Sequence, residues 1–253
     1  LTGNIFDIAT ASTFNHSNGS VKFSGSNHFD IDTHSSSLYN VEINKCGSCG
    51  FGGTLDVDGD LILASAGTCS ANIYLAGNLS GAATLLHSGS GKITFDGTGT
   101  QTSTFTGRLP SVTVNKSSGT LTFDSSFAIS KTFTYTAGTV VFTSAYTTTF
   151  SASDHWGNDS GSVVFNNVEI NKCTSCDMTI TGTMKIGGNL NLIQNGQFNS
   201  GTIEVRGNVT STDTSSTGSS AITLTGTNDQ VVTVGSNDLP NGLFTTIYYS
   251  WCK

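Results

Sequence analysis

The sequence has few charged residues, few prolines and no long apolar run. Only 11% of its 253 residues are charged, Pro occurs 2 times, and Lys and Arg together number 10. Nucleic-acid binding needs clustered basic side chains on phosphates, so ten scattered cations and a net charge of -7 argue against that function. No run approaches about eighteen apolar residues, so we expect no membrane-spanning helix.

Residues that favour helices are scarce as well, and no segment has a sustained apolar period of 3.6 residues. Runs of four or five alternating or β-branched residues recur instead, each ended by Gly, Asn, Asp or Ser. Low charge combined with 36% hydrophobic residues is not the composition of a disordered chain. The pattern therefore predicts an ordered all-β protein with essentially no helix.

An internal repeat is the clearest positive feature of the chain. The hexapeptide Val-Glu-Ile-Asn-Lys-Cys at 41–46 returns unchanged at 168–173, an offset of 127 residues (168 − 41), and a degenerate copy, Val-Thr-Val-Asn-Lys, lies at 112–116. Such repeats are typical of solenoids, in which each unit buries its apolar face against the next. We predict a single β-solenoid domain over 1–253, with a super-repeat over roughly 20–125 and 147–253.

The spacing of the strand-like triplets gives the size of one coil. Triplets at 55–57, 73–75, 93–95 and 112–114 follow one another at intervals of 18, 20 and 19 residues. Antiparallel sandwiches and barrels would need more Asn-Gly or Asp-Gly turns than the chain contains. We therefore predict a right-handed parallel β-helix with coils of about twenty residues.

One segment carries a resemblance to a known class of protein. It starts with Gly-Lys-Ile-Thr-Phe-Asp-Gly at 91–97, passes through Gln101 and the copy at 112–116, and ends with Gly-Thr-Leu-Thr-Phe at 119–123; parts of it recur at 186–192 and 221–230. The succession resembles the β-helix repeats of large secreted bacterial surface proteins of the adhesin type. The resemblance covers most of the chain and implies an architecture and a surface location rather than a catalytic site. Members of this type usually lack Cys after the Asn-Lys pair, so the Cys-x-x-Cys elements are peculiar to this chain.

Six cysteines indicate an oxidising, extracellular setting, where disulfides persist. One interpretation is a disulfide that closes a corner loop within each Cys-x-x-Cys element, and the rival is a ladder bridge from Cys46 or Cys49 to Cys69. A zinc site shared by the two elements is disfavoured, because about six coils of roughly 4.8 Å would separate them by roughly 29 Å. The ladder bridge would leave Cys252 without a partner, for which a neighbouring chain is a candidate. The disulfide candidates are Cys46, Cys49, Cys69, Cys173, Cys176 and Cys252.

Three alternating carboxylates, Asp56, Asp58 and Asp60, would face one side of a strand and are the only cluster dense enough to consider for calcium. The corresponding positions of the second copy differ in chemistry, being Lys185, Gly187 and Asn189. We favour a solvated strand face, and predict no metal site and no cofactor.

Residues suited to catalysis are sparse and scattered. The only two arginines, Arg108 and Arg206, are not close to a dense acidic group in the sequence, and the repeat-equivalent His28 and His155 are interpreted as corner-packing residues. Thr-x-Thr runs drift in position, which favours ordinary strand propensity over a hydroxyl ladder that binds ice. We therefore predict that the chain is not an enzyme and has no catalytic residues.

The sequence is best interpreted as a structural extracellular protein, a subunit or segment of a cell-surface adhesin or a self-assembling filament. Open solenoid ends favour end-to-end self-association. The alternative is a carbohydrate-binding or carbohydrate-cleaving β-helix with a surface glycan as partner, which exposed aromatics among Phe29, Tyr74, Tyr146 and Trp156 would favour. The chain starts at Leu1 and ends in a strand-like run over 248–253, and we interpret these ends as processed or fragment boundaries.

Overall fold

The structure, a computed structural model, consists of short strands, with no helix among the residues it describes. The described residues are 5–9, 12, 14–25, 29–45, 51–65, 67–84, 86–87, 91–151, 156–159, 163–173, 176–194, 196–212, 217–235 and 246–247. Every strand pair is parallel, and successive partners lie about 20 residues apart in sequence. The predicted all-β class and the β-solenoid architecture are confirmed.

The described residues fall into two compact units, one of 1–128 with 136–141 and one of 129–135 with 142–253. The first unit contains β1 (Ile5–Asp7), β2 (Ser20–Gly25), β3 (Phe29–Asp32), β4 (Asn40–Lys45), β5 (Phe51–Val57), β6 (Leu61–Ser65), β7 (Thr68–Cys69), β8 (Asn72–Leu75), β9 (Leu79–Gly81), β10 (Leu86–His87), β11 (Lys92–Phe95), β12 (Gln101–Ser103), β13 (Arg108–Leu109) and β14 (Ser111–Phe123). The prediction of a single domain over 1–253 stays a prediction.

Strands β15 (Phe127–Ile129) and β16 (Phe133–Phe142) have residues in both units. The second unit contains β17 (Thr147–Phe150), β18 (Trp156–Asp159), β19 (Val164–Phe165), β20 (Asn167–Asn171), β21 (Met178–Ile180), β22 (Thr183–Ile186), β23 (Leu190–Gln194), β24 (Gln197–Asn199), β25 (Thr202–Val205), β26 (Val209–Ser211), β27 (Thr217–Gly218), β28 (Ala221–Leu224), β29 (Val232–Val234) and β30 (Thr246–Ile247).

In the first unit the coil register follows the spacing of the sequence triplets. Leu55 of β5 pairs with Ile73 of β8, Ile73 with Ile93 of β11, and Ile93 with Val112 of β14. Successive side chains of a strand point to opposite faces, so this register places all four apolar residues on one inward column. All four have no exposed surface.

The second unit repeats this arrangement with its own strands. Met184 of β22 pairs with Ile203 of β25, and Ile203 with Ile222 of β28, and all three side chains are fully buried. Burial of one such side chain stabilises the fold by roughly 1.5–3 kcal/mol, so the inward columns are the main source of stability.

Candidate functional site

Residues 41–45 and 168–172, the first five of each copy of the repeated hexapeptide, have similar local structure. In β4 the residues Val41 and Ile43 are buried, and the pairing with β6 shifts by one residue after Ile43. In β20 the residues Val168 and Ile170 are buried, and the pairing with β23 shifts by one residue after Ile170. Each copy therefore lies on a strand whose partner in the next coil contains a one-residue bulge.

The cysteine that ends the second copy forms the predicted corner disulfide, Cys173 to Cys176, with Cα atoms 5.0 Å apart. Cys69 is a buried free thiol, and its burial raises its pKa to about 12, which makes it a poor nucleophile at neutral pH. Because Cys69 is free, the ladder bridge from Cys46 or Cys49 to Cys69 is not formed in this structure. The equivalent bond from Cys46 to Cys49 and the pairing of Cys252 involve residues outside those described. These two interpretations stay predictions.

Side-chain oxygens of asparagine and aspartate residues accept a continuous ladder of hydrogen bonds along one corner of the first unit. The Oδ1 of Asn40 accepts a hydrogen bond from the Asp60 amide at 2.9 Å, the Oδ1 of Asp60 accepts from the Asn78 amide at 2.8 Å, and the Oδ1 of Asn78 accepts from the Thr102 amide at 2.8 Å. Each bond joins a corner to the next coil and satisfies a backbone donor at the start of a strand.

The second unit has a matching ladder. The Oδ1 atoms of Asn167, Asn189 and Asn208 accept hydrogen bonds from the amides of Asn189, Asn208 and Val231 at 2.9, 2.8 and 2.8 Å. Sequence reasoning missed both ladders, although the signal is visible: each Asn or Asp acceptor directly precedes an apolar strand residue. Asp60 therefore replaces an asparagine as an acceptor in a structural ladder.

Gln101 and Gln230 form a second device repeated between the units. The Nε2 of Gln101 donates to the carbonyls of Leu75 and Gly77 at 2.9 and 2.6 Å. The Nε2 of Gln230 donates to the carbonyls of Val205 and Gly207 at 3.0 and 2.5 Å. The glutamine of the resemblance pattern is thus a clamp across a coil corner.

In the first unit the glutamine clamp includes a buried cation. The Nζ of Lys116, which is 1% exposed, donates to the Oε1 of Gln101 at 2.5 Å and to the carbonyls of Gly97 and Gly99 at 2.5 and 2.9 Å. Burial lowers the pKa of Lys116, and the charge of Asp96 opposes that effect. Three acceptors satisfy all three ammonium donors, so this lysine, the last residue of the degenerate copy at 112–116, is a structural residue.

The three alternating carboxylates of the sequence have three different roles. Asp60 lies in the corner ladder, whereas Asp58 is exposed and accepts hydrogen bonds from the Ser37 hydroxyl at 2.5 Å and from His16 Nε2 at 3.2 Å. Asp56 is half-buried, and desolvation followed by the charges of Asp58 and Asp96 raises its pKa to about 6. These side chains therefore do not form one uniform solvated face.

Asp96 is an acidic residue that sequence reasoning missed. Desolvation also raises the pKa of Asp96, with Lys116 opposing the rise and Asp58 adding to it. The coil register shows why Asp96 lies close to Asp56. Asp56 pairs with Tyr74, Tyr74 pairs with Thr94, and Asp96 follows two residues after Thr94. Within the described residues no group of three or more His, Cys, Asp or Glu side chains has the geometry to hold a metal ion.

The remaining candidates are divided between the two units or lie outside the described residues. Arg108 starts β13 of the first unit and Arg206 follows β25 of the second, while His28, His155 and the side chains of Phe29 and Trp156 lie outside those described. Tyr74 and Tyr146 are both half-buried, and they belong to different units.

No regular threonine ladder is seen along β17. Thr148 is buried. Thr149, which faces outward, pairs with Glu169 in the next coil, and Glu169 pairs with Asn191 in the coil after that. The outward column therefore changes chemistry at each coil, unlike a hydroxyl ladder that binds ice.

A pocket on the first unit brings together residues that sequence reasoning did not single out. It is shallow, has a volume of about 330 Å³, and is lined by Phe14, Asn15, His16, Ser35, Ser36 and Ser37. His16 also stacks on the ring of Tyr39, with ring centroids 5.4 Å apart. Phe14 is 39% exposed, so an aromatic side chain is accessible at this pocket.

Comparisons with models of protein families, with curated proteins and with solved structures found no match to this chain. The described residues contain no helix that is long and apolar enough to cross a membrane.

Proposed function

We propose that the chain is a structural extracellular protein, a segment or subunit of a cell-surface adhesin or a self-assembling filament, and that it has no catalytic site. The observation that carries the proposal is the coil-to-coil ladder present in each unit. Asn40, Asp60 and Asn78 in one unit, and Asn167, Asn189 and Asn208 in the other, use their side chains to join coils. A fold that repeats the same corner bonds is suited to extension.

Two further features support an extracellular setting. The Cys173 to Cys176 disulfide is the kind of bond that persists in oxidising compartments. The repeat pattern that includes Gln101 and Gln230 resembles the repeats of secreted bacterial surface proteins, and both glutamines clamp coil corners.

Two strands that have a single partner strand among the described residues support end-to-end association. Within the described residues β1 pairs with β3 alone and β29 with β26 alone, so each has an unpaired edge there. Ile5 in the first coil is 76% exposed, and Val231 beside β29 is 57% exposed. Such edges are templates for the strand of another chain, and a head-to-tail contact of this type continues into a fibre.

Electron microscopy and sedimentation velocity of the purified chain over a range of concentrations test the proposal. We expect fibres or a series of oligomers, and we expect Val234→Lys on β29 to shorten them, because a charge at a strand edge opposes pairing. Ile62→Lys is the matched control, since Ile62 is equally exposed at 41% but lies on β6, which pairs on both sides. A monomer at high concentration would contradict self-assembly, and a chain found only inside intact cells would contradict the extracellular role.

A further inference from the structure

The pocket beside Phe14 is built from three successive coils of the first unit. Residues 14–16 form one wall, residues 35–37 form the other, and Asp58 follows β5 in the third coil and contacts both walls. Two long-range contacts join these parts: His16 Nε2 lies 3.2 Å from Asp58 Oδ2, and the Ser37 hydroxyl lies 2.5 Å from the same oxygen. One carboxylate oxygen therefore anchors both walls.

The pocket wall is held in shape by its own hydrogen bonds. The Phe14 amide donates to the Ser36 hydroxyl at 3.3 Å, and that hydroxyl donates to the Ser12 carbonyl at 3.1 Å. The Asn18 amide donates to His16 Nδ1 at 3.0 Å, which leaves Nε2 of the neutral ring as the donor to Asp58. A wall that is already ordered loses less entropy when a ligand binds.

The chemistry of the pocket fits a ligand with one apolar face and a polar rim. Phe14 presents a partly exposed ring, and the other lining residues are polar. The Oδ1 of Asn15 accepts from the Ser17 amide and hydroxyl, whereas its Nδ2 makes no hydrogen bond within the described part of the chain. A pyranose ring has a C–H face that stacks on an aromatic ring and hydroxyls that accept from an amide donor and donate to a carboxylate.

The charge of the pocket restricts which saccharide fits. Asp58 accepts hydrogen bonds from the lining residues His16 and Ser37 and is 47% exposed, and its charge, with that of Asp96, adds to the desolvation that raises the pKa of Asp56. The negative charge of Asp58 disfavours a ligand that carries a carboxylate, because like charges repel at short range.

We propose that this pocket binds a single neutral sugar unit of a surface saccharide, with Phe14 stacking on the ring and Asn15 and Asp58 bonding its hydroxyls. The pocket volume limits the contact to about one sugar unit, so we expect affinity near the millimolar range for an isolated oligosaccharide. The proposal holds whether or not the chains assemble end to end.

Saturation-transfer NMR and calorimetry at pH 7 test the proposal, with the neutral trisaccharides of glucose, galactose, mannose and N-acetylglucosamine and with trigalacturonate as probes. We expect at least one neutral trisaccharide to bind and trigalacturonate to bind more weakly. Phe14→Ala should weaken binding by about tenfold through loss of the stacking ring. Asn15→Asp keeps the Oδ1 acceptor of the turn but removes the Nδ2 donor, so it should also weaken binding.

Ile62→Ala is the matched control, because it removes an apolar side chain of similar exposure outside the pocket and should leave binding unchanged. Asp58→Asn should reduce the difference in affinity between the neutral trisaccharide and trigalacturonate, because it removes the negative charge. The asparagine keeps an oxygen acceptor for the Ser37 hydroxyl. Thermal unfolding of each variant verifies that the unit is intact. The proposal is overturned if no neutral trisaccharide binds, if folded Phe14→Ala binds as well as the wild-type chain, or if trigalacturonate binds most tightly.

Discussion

The two units of the molecule have equivalent strands with opposite surface charge. Asp56 on β5 is in register with Tyr74, and at the equivalent place Lys185 on β22 is in register with Glu204. Asp56 is destabilised by burial and by like charges, whereas the register of Lys185 places it opposite a residue of opposite charge. The residues on the inward side of the same strands are uniformly apolar.

This difference shows which positions hold the solenoid together and which are free to vary. Inward residues and corner residues are the same in kind in both units, as Asn78 and Asn208 illustrate, because coil stacking depends on them. Outward residues differ in charge between the two units, because water solvates a positive or a negative side chain equally well. The His16 and Asp58 contact lies among the variable positions of the first unit, where a binding site can be added without loss of the fold.

The largest expected effect is on the inward column. Ile73→Ala in the first unit and Ile203→Ala in the second should each lower the free energy of unfolding of their unit by about 3 kcal/mol, since each leaves a cavity in a fully buried column. Denaturant unfolding followed by circular dichroism measures this loss. Ile62→Ala is the exposed control, and a loss from Ile73→Ala as small as that of the control would contradict the inward assignment.

A smaller effect should separate the two glutamine clamps. Gln101→Ala leaves one donor of the buried Lys116 ammonium without its side-chain acceptor, so we expect a loss of about 2 kcal/mol. Gln230→Ala should lose only about 1 kcal/mol, because Gln230 is half-buried and its Oε1 accepts from the Gly226 amide rather than from a buried cation. Equal losses in denaturant unfolding would show that Lys116 does not strengthen the clamp.

The smallest effect concerns the acidic positions that distinguish the first unit. The pKa of Asp56 is raised from 3.8 to about 6 in the folded state, so its protonated form is favoured there. The stability linked to this proton is fully present below pH 4 and is lost as pH rises through 6. Asp56→Asn should therefore be more stable than the wild-type chain at pH 7 by about 1 kcal/mol, a value reduced for the half-exposed position.

Thermal and denaturant unfolding between pH 4 and pH 8 measures the Asp56 effect. The advantage of Asp56→Asn should shrink as the pH approaches 4. Asp229→Asn, at an exposed turn of the second unit, is the control and should show no such trend. An advantage of Asp56→Asn that is constant over the whole pH range would contradict the raised pKa.

Much of the fold is predictable from the sequence because the relevant signals are local. Alternation of apolar and polar residues identified β5, β8, β11 and β14, and the spacing of their triplets predicted the coil register that the structure has. Less of the site was predictable. The alternating carboxylates were treated as one group, although Asp60 joins a corner ladder and Asp56 is half-buried.

The sequence by itself determined the strand content, the inward faces and the coil length, since these follow from period-two alternation and from turn residues that act on their neighbours. Only the tertiary structure decided that Asp96 acts on Asp56, that Gln101 reaches the carbonyls of Leu75 and Gly77, and that His16 reaches Asp58. Stacking brings together residues about one or two coils apart, and which side chains then meet depends on the direction of each corner, which no local pattern specifies.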